Sequence, residues 1–178
     1  MKIQVQTADD SLKPRVAAVA RDAAEVVRFA GGWLFDQAMA GWDVSVLTLD
    51  DGDVRSLRIL GAHRHDLAPV LESRAAPGSC LRAIAIPAEL YRRDPGVRKI
   101  AGRALAAAPG ELLLWGDGVP ADLGSDPGLR PRLRRAPVPV LHRLSFAARA
   151  FKAQALAAAR IPDPGMAACD AESFVRVQ

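Results

Sequence analysis

Apolar residues recur at intervals of three and four positions from Pro14 to Ala40, which is the spacing of one face of an α-helix. The pattern predicts a long amphipathic helix with Pro14 in its first turn. Gly41 follows as a residue suited to the left-handed conformation that ends many helices. Gly31 and Gly32 interrupt the pattern, and each lowers helix stability by about 1 kcal/mol relative to alanine. The pair therefore predicts a kink or the close approach of a neighbouring backbone.

The period becomes strand-like after Gly41. Val44–Leu49 is apolar on both faces, and Val54–Leu60 alternates between apolar and polar residues. The turn signal Asp51–Gly52 lies between these two segments and favours a β-hairpin. Two parallel strands joined by a crossover are the alternative, because aspartate-rich connections also follow strands in parallel sheets.

The rest of the chain alternates strands with helices. The predicted helices are Leu67–Arg74, Ala88–Arg93, Val97–Ala108 and Val140–Ala159. The predicted strands are Lys2–Gln6, Leu81–Ile86, Glu111–Trp115 and Ser173–Val177, the first and last of which could pair with each other. The apolar positions predict a core that includes Val46, Leu47, Ile59, Ile84, Leu113, Leu144 and Phe151.

This alternation predicts a single three-layer α/β domain over residues 1–178. We expect four to five strands in a mostly parallel or mixed sheet, with helices on both faces, a long N-terminal helix and a basic C-terminal helix packed on the sheet. Gly116–Pro139 has no period and is rich in glycine, proline and arginine, so it predicts a long irregular loop that is either functional or flexible. Residues 161–178 are interpreted as a C-terminal tail.

Composition excludes several classes of protein. Half of the 178 residues are hydrophobic and 25% are charged, which is typical of globular chains rather than disordered ones. No apolar stretch approaches the roughly 20 residues of a membrane-spanning helix, so no membrane insertion is expected. Cys80 and Cys169 form no Cys-x-x-Cys pair, and Met1–Thr7 has no secretory pattern. A reducing cytoplasmic location is therefore predicted.

The basic residues are concentrated in the second half of the chain. Arginine outnumbers lysine 20 to 4, which we interpret first as the codon bias of a GC-rich bacterial genome. Pro127–Pro162 nevertheless contains eight basic residues and no acidic one. Helical geometry places Arg143 and Lys152 outside the apolar sector of the last predicted helix, in solvent. The candidate ligand-binding or polyanion-binding residues are Arg130, Arg132, Arg134, Arg135, Arg143 and Lys152. Aromatic residues for stacking on bases are nearly absent from this segment, which favours a solvated basic face.

No catalytic constellation is recognisable in the sequence. The three histidines, His63, His65 and His142, lack the spacing of metal ligands, and the aspartates near Asp50 lack the glutamate that completes a calcium loop. Ser145 lacks the Gly-x-Ser-x-Gly signature of a nucleophile elbow. We therefore predict no catalytic residues, no metal and no cofactor.

Three functions are compatible with these features. The leading expectation is a small bacterial α/β protein without catalytic activity that acts through a surface for a protein partner or a second copy of itself. The first alternative is an enzyme or sensor that binds an anionic small molecule at the strand ends near residues 116–139, with Asp117, Asp122, Arg130 and Arg132 available. The second alternative is nucleic-acid binding through the basic segment 130–160.

Overall fold

The computed structural model describes residues 13–52, 54–72, 81–106, 110–117, 119–120, 123, 126–127, 129–162 and 170–178, without the side chain of Arg132. The strands within these ranges are β1 (Arg15–Ala20), β2 (Asp43–Thr48), β3 (His63–Asp66), β4 (Leu81–Pro87), β5 (Glu111–Trp115), β6 (Val138–Arg143) and β7 (Ala171–Val177). The helices are α1 (Ala23–Met39), α2 (Arg55–Ile59), α3 (Leu67–Glu72), α4 (Ala88–Arg93), α5 (Pro95–Ala106) and α6 (Phe146–Ala158). A 3₁₀ turn covers Arg130–Arg132.

The described strands form one mixed sheet in the order β3-β2-β1-β4-β5-β7-β6. The first five strands in this order are parallel, and β7 is antiparallel to both β5 and β6. The central strands read as continuous apolar runs because both of their faces are covered. In β1, Val16 and Ala18 pack on one side of the sheet, whereas Ala17 and Val19 pack on the other.

Two apolar clusters flank the sheet and make the fold three layers deep. The cluster on one face contains residues of α1, α2 and α6, and the cluster on the other contains residues of α4 and α5. The prediction of an α/β domain is confirmed, but the described part of the chain has seven strands rather than four or five. None of the helices in the ranges given above is long and apolar enough to cross a membrane.

The predicted N-terminal helix is wrong in its first third. Residues 15–20 form β1, and α1 begins only after Asp22. Asp22 is the N-cap of α1, and its Oδ1 accepts the backbone N–H of Glu25 at 2.8 Å. Small apolar residues buried on both faces of a strand also satisfy a three-four helical pattern, which explains the error. The end of the helix is as predicted, since Gly41 has a φ of +84° directly after the C-cap residue Ala40.

The predicted hairpin at residues 44–60 is also wrong. Its second half contains the short helix α2, and the next strand, β3, lies parallel to β2. The predicted helix over 140–159 divides in the same way into β6 and α6, with Ser145 as the N-cap of α6. The predictions for β4, α4 and β5 are confirmed, with α5 covering 95–106. Residues 2–6, Cys80 and Cys169 lie outside the described residues.

Candidate functional site

The carboxyl ends of β1 and β4 meet at the centre of the parallel part of the sheet. The chain leaves β1 into α1 on one face and leaves β4 into α4 and α5 on the other. Two neighbouring strands whose helices lie on opposite faces open a crevice between the two connections, and this is the usual ligand site of an open α/β sheet. We call the region at the ends of these two strands the switch-point crevice, and its polar residues are Arg21, Asp22, Glu25 and Glu89.

Backbone hydrogen bonds fix the turn that carries the first of these residues. The amides of Leu49 and Asp50 donate to the carbonyl oxygen of Arg21 at 3.1 and 3.0 Å, which ties the end of β1 to the end of β2. The amide of Arg21 donates to Glu25 Oε2 at 3.3 Å, while Asp22 accepts from the amide of Glu25. This reciprocal pair resembles a capping box and holds two carboxylates at the N-terminus of α1.

The pKa of Glu25 is raised above its usual value, chiefly because the carboxyl is half-buried. The charges of Asp22 and Glu89 raise this pKa further, whereas the hydrogen bond and charge of Arg21 lower it. Glu89 itself lies 2.9 Å from the guanidinium of Arg93 one turn along α4. A carboxyl with a raised pKa at a strand end is a candidate general base, because a base accepts protons more effectively when its pKa lies closer to the working pH.

The strands on either side of the crevice end in further polar groups. Arg64 donates from Nε to Thr48 Oγ1 at 3.0 Å and from Nη2 to the carbonyl oxygen of Asp50 at 2.9 Å. Trp115 is the last residue of β5, and its buried Nε1 has no hydrogen-bond partner among the described residues. Arg64 is therefore engaged on the β2–β3 side of this edge, whereas the indole N–H of Trp115 on the other side makes no hydrogen bond within the described part of the chain.

A basic groove, here called the α5 groove, runs along α4 and α5. It consists of two adjoining cavities of about 470 and 530 Å³ that share Arg98, Asp126 and Pro127. The hydroxyl of Tyr91 donates to Asp126 Oδ2 at 2.6 Å. The pKa of Tyr91 is raised, chiefly by burial and to a smaller extent by this hydrogen bond. The full lining is Tyr91, Arg92, Pro95, Arg98, Lys99, Gly102, Arg103, Pro120, Leu123, Asp126 and Pro127.

The structure does not place Lys152 with the other predicted basic residues. Its side chain is 2% exposed and its Nζ lies 2.5 Å from Glu172 Oε1, so the expectation that Lys152 faces solvent is wrong. The side chain that faces solvent instead is Phe151, which is 46% exposed. The remaining residues of the set with described side chains, Arg130, Arg134, Arg135 and Arg143, are exposed. Their binding of a polyanion stays a prediction, as does that of Arg132.

Two of the three histidines, His65 and His142, and also Ser145 have structural contacts. His142 Nε2 lies 2.9 Å from Asp36 Oδ2, and His65 Nε2 lies 3.5 Å from the hydroxyl of Ser45. Ser145 Oγ accepts the amide of Ala148 at 3.0 Å, as expected of a helix cap. Within the described ranges, no three or more His, Cys, Asp or Glu residues are grouped so that they could hold a metal ion.

Sequence reasoning missed Asp22, Glu25 and Glu89. The error followed from interpreting residues 15–20 as helix, because a helix through Asp22 leaves no strand end for these carboxylates to occupy. A usable signal was present: Arg21–Asp22 follows six residues that are mainly apolar on both faces, and an aspartate at that point is typical of a strand-to-helix turn.

Two solved structures share this fold over nearly the whole chain. The A40926 pseudoaglycone deacetylase is 16% identical, with a TM-score of 0.58 over 94% of this chain and 98% of that one. A deacetylase triple mutant of the teicoplanin biosynthetic pathway is 13% identical, with a TM-score of 0.59 over 92% of this chain and 98% of that one. No family model and no curated protein matches the sequence.

These likenesses correct the leading expectation from sequence. Both solved proteins are named as deacetylases, which contradicts the prediction of a protein without catalytic activity and favours the enzyme alternative. At 16% and 13% identity the likeness establishes the fold alone.

Proposed function

We propose that the protein is an enzyme that hydrolyses an acyl amide, such as an N-acetyl group, at the switch-point crevice. The observation that carries this proposal is the group of carboxylates at the ends of β1 and β4, on a fold that is also the fold of two deacetylases. The proposal takes up the predicted alternative of an enzyme at the strand ends near residues 116–139, but it moves the site to the ends of β1 and β4. A cytoplasmic location stays a prediction from the cysteine pattern.

Amide hydrolysis needs a base for water and stabilisation of the developing oxyanion. In the proposed reaction, Glu25 accepts a proton from water as the water oxygen bonds to the acyl carbon. The intermediate then expels the amine, whose nitrogen takes up the proton that Glu25 accepted, and the acyl group leaves as a carboxylic acid that ionises to the carboxylate, so that Glu25 is ready for the next cycle. The raised pKa of Glu25 supports its role as base. The exposed Arg21, at the same turn, carries a positive charge suited to the oxyanion.

The N-terminus of α1 supports the same assignment. Its electropositive end lies at this turn, and the capping bond from the amide of Glu25 to Asp22 keeps the first turn of the helix in place. Asp22 is therefore a positioning residue in the proposal, whereas Glu25 contacts the reacting water.

The proposal is tested by release of acetate from a panel of N-acetylated small molecules. The wild-type protein is compared with Glu25→Gln, which keeps the size of the side chain and its capability to accept the amide of Arg21. Arg58→Gln, on an exposed position of α2, is the matched control. We expect turnover by wild type and control and a loss of about 100-fold or more in Glu25→Gln. Equal rates for Glu25→Gln and wild type would overturn the assignment.

A further inference from the structure

The α5 groove is strongly basic. Its described lining has four cations, Arg92, Arg98, Lys99 and Arg103, and one carboxylate, Asp126. These four positive charges and one negative charge give the described lining of the two cavities a net charge of plus three. A concave surface with one sign of charge concentrates ligands of the opposite sign.

Hydrogen bonds hold the two walls of the groove in position. Arg98 Nη1 donates to the carbonyl oxygen of Arg92 at 2.5 Å and approaches that of Tyr91 at 3.5 Å. The Tyr91 hydroxyl holds Asp126 on the opposite wall, in the connection that follows β5. The cation at the centre of the groove is thus oriented before a ligand arrives, which lowers the entropy lost on binding.

The spacing of the cations suits an oxyanion. Lys99 and Arg103 are four residues apart on α5, which corresponds to about 6 Å along the helix axis. Arginine offers paired N–H donors and lysine a compact charge, and both are common ligands of phosphate. The groove also begins close to the crevice, since Arg92 lies three residues after Glu89 on α4.

We propose that the α5 groove binds the phosphate group of a phosphorylated acyl amide, so that the amide extends toward the switch-point crevice. The assignment of the amide rests on the proposed function. The affinity of the groove for phosphate does not rest on the proposed function, and it can be measured without any enzymatic assay.

The binding test uses inorganic phosphate and pyrophosphate as probes in isothermal titration calorimetry. The variant Arg92→Gln with Lys99→Gln removes two exposed cations of the groove. The control, Arg58→Gln with Arg82→Gln, removes two exposed cations elsewhere. We expect the groove variant to bind pyrophosphate about tenfold more weakly, and the control to bind as wild type does. The proposal is overturned if the groove variant binds pyrophosphate as tightly as the wild type does. It is also overturned if the wild type does not bind pyrophosphate at all.

A kinetic test separates this proposal from the proposed function. N-acetyl-O-phosphoserine amide and N-acetylserine amide differ only in the phosphate. We expect a higher kcat/KM for the phosphorylated compound and a loss of that preference in the groove variant. Acetate release from both compounds at equal rates overturns the phosphate assignment and leaves the hydrolase standing. Pyrophosphate binding that the groove variant abolishes, without acetate release from any acyl amide, supports the groove and overturns the hydrolase.

Discussion

Lys152 Nζ lies 2.5 Å from Glu172 Oε1, and each of the two side chains is 2% exposed. The same carboxylate accepts the amides of Gly32 at 2.9 Å and Trp33 at 2.7 Å, so one buried group joins α1, α6 and β7. Burial raises the pKa of Glu172, against the opposing effect of the Lys152 charge. Lys152 thus lies on the buried face of α6, whereas Phe146 on the same helix is 82% exposed.

Loss of one partner of this salt bridge should destabilise the protein strongly. We expect Lys152→Met to lower the free energy of unfolding by about 3–5 kcal/mol, because it leaves a buried carboxylate without its counter-charge. Urea titration measures the loss. The double variant with Glu172→Gln, which removes the buried negative charge but keeps only one of the two acceptor oxygens, should recover part of it. Equal stabilities of wild type and Lys152→Met would show that the pair contributes nothing.

Gly32 should not tolerate a side chain. A Cβ at this position would lie 2.3 Å from Cδ2 of Leu144, which is itself only 7% exposed. We expect Gly32→Ala to destabilise the protein by about 1–3 kcal/mol through overpacking. Thermal unfolding measures this loss. The double variant Gly32→Ala with Leu144→Ala should lose less stability than the two single variants lose together, because the smaller alanine at position 144 makes room for the new Cβ. Losses that add up strictly would show that the two side chains do not clash.

Phe151 should contribute less than a core residue. Its ring stacks on Phe35 with centroids 4.6 Å apart, but 46% of the side chain surface remains exposed. We expect Phe151→Ala to cost about 1 kcal/mol, whereas truncation of the buried Phe35 should cost about 3 kcal/mol or more. Chemical denaturation of the two variants compares them. A cost for Phe151→Ala as large as that for Phe35→Ala would place Phe151 in the core.

These residues also show where sequence reasoning was sufficient and where it was not. The strand Glu111–Trp115 and the turn at Gly41 depend on local patterns, and both were predictable. The orientation of α6 was not, because the partner that draws Lys152 inward, Glu172, is 20 residues away on another element. A helical projection assigns a lysine to solvent unless such a partner is known.

The candidate site failed to appear in the sequence for a related reason. Asp22 and Glu89 are 67 positions apart, and only the parallel pairing of β1 with β4 brings the strand ends that precede them together. The α5 groove is similar, because the cations of α5 look like an ordinary solvated face until Asp126 and Pro127 are placed opposite them. Tertiary pairing decides both arrangements, and no local motif encodes it.

Glu25 should give stability a specific pH dependence. Its pKa in the folded protein is raised above 4.5, so the folded state holds this proton more tightly than the unfolded chain does. The contribution of Glu25 to stability is therefore largest below its ordinary pKa and decreases as the pH rises through the raised value. Urea midpoints measured from about pH 4 to about pH 7 should fall relative to those of Glu25→Gln. A difference that is constant with pH would contradict the raised pKa.

The pH dependence of kcat/KM for acetate release shows whether Glu25 is the base of an acyl-amide hydrolase. Activity should rise with pH as Glu25 loses its proton. Glu89→Gln removes a like charge that raises this pKa, so the rising limb should move to lower pH while the protein stays folded. The proposed function is contradicted if no acetate is released from any N-acetylated substrate, or if the rising limb is unchanged in Glu89→Gln and persists in Glu25→Gln.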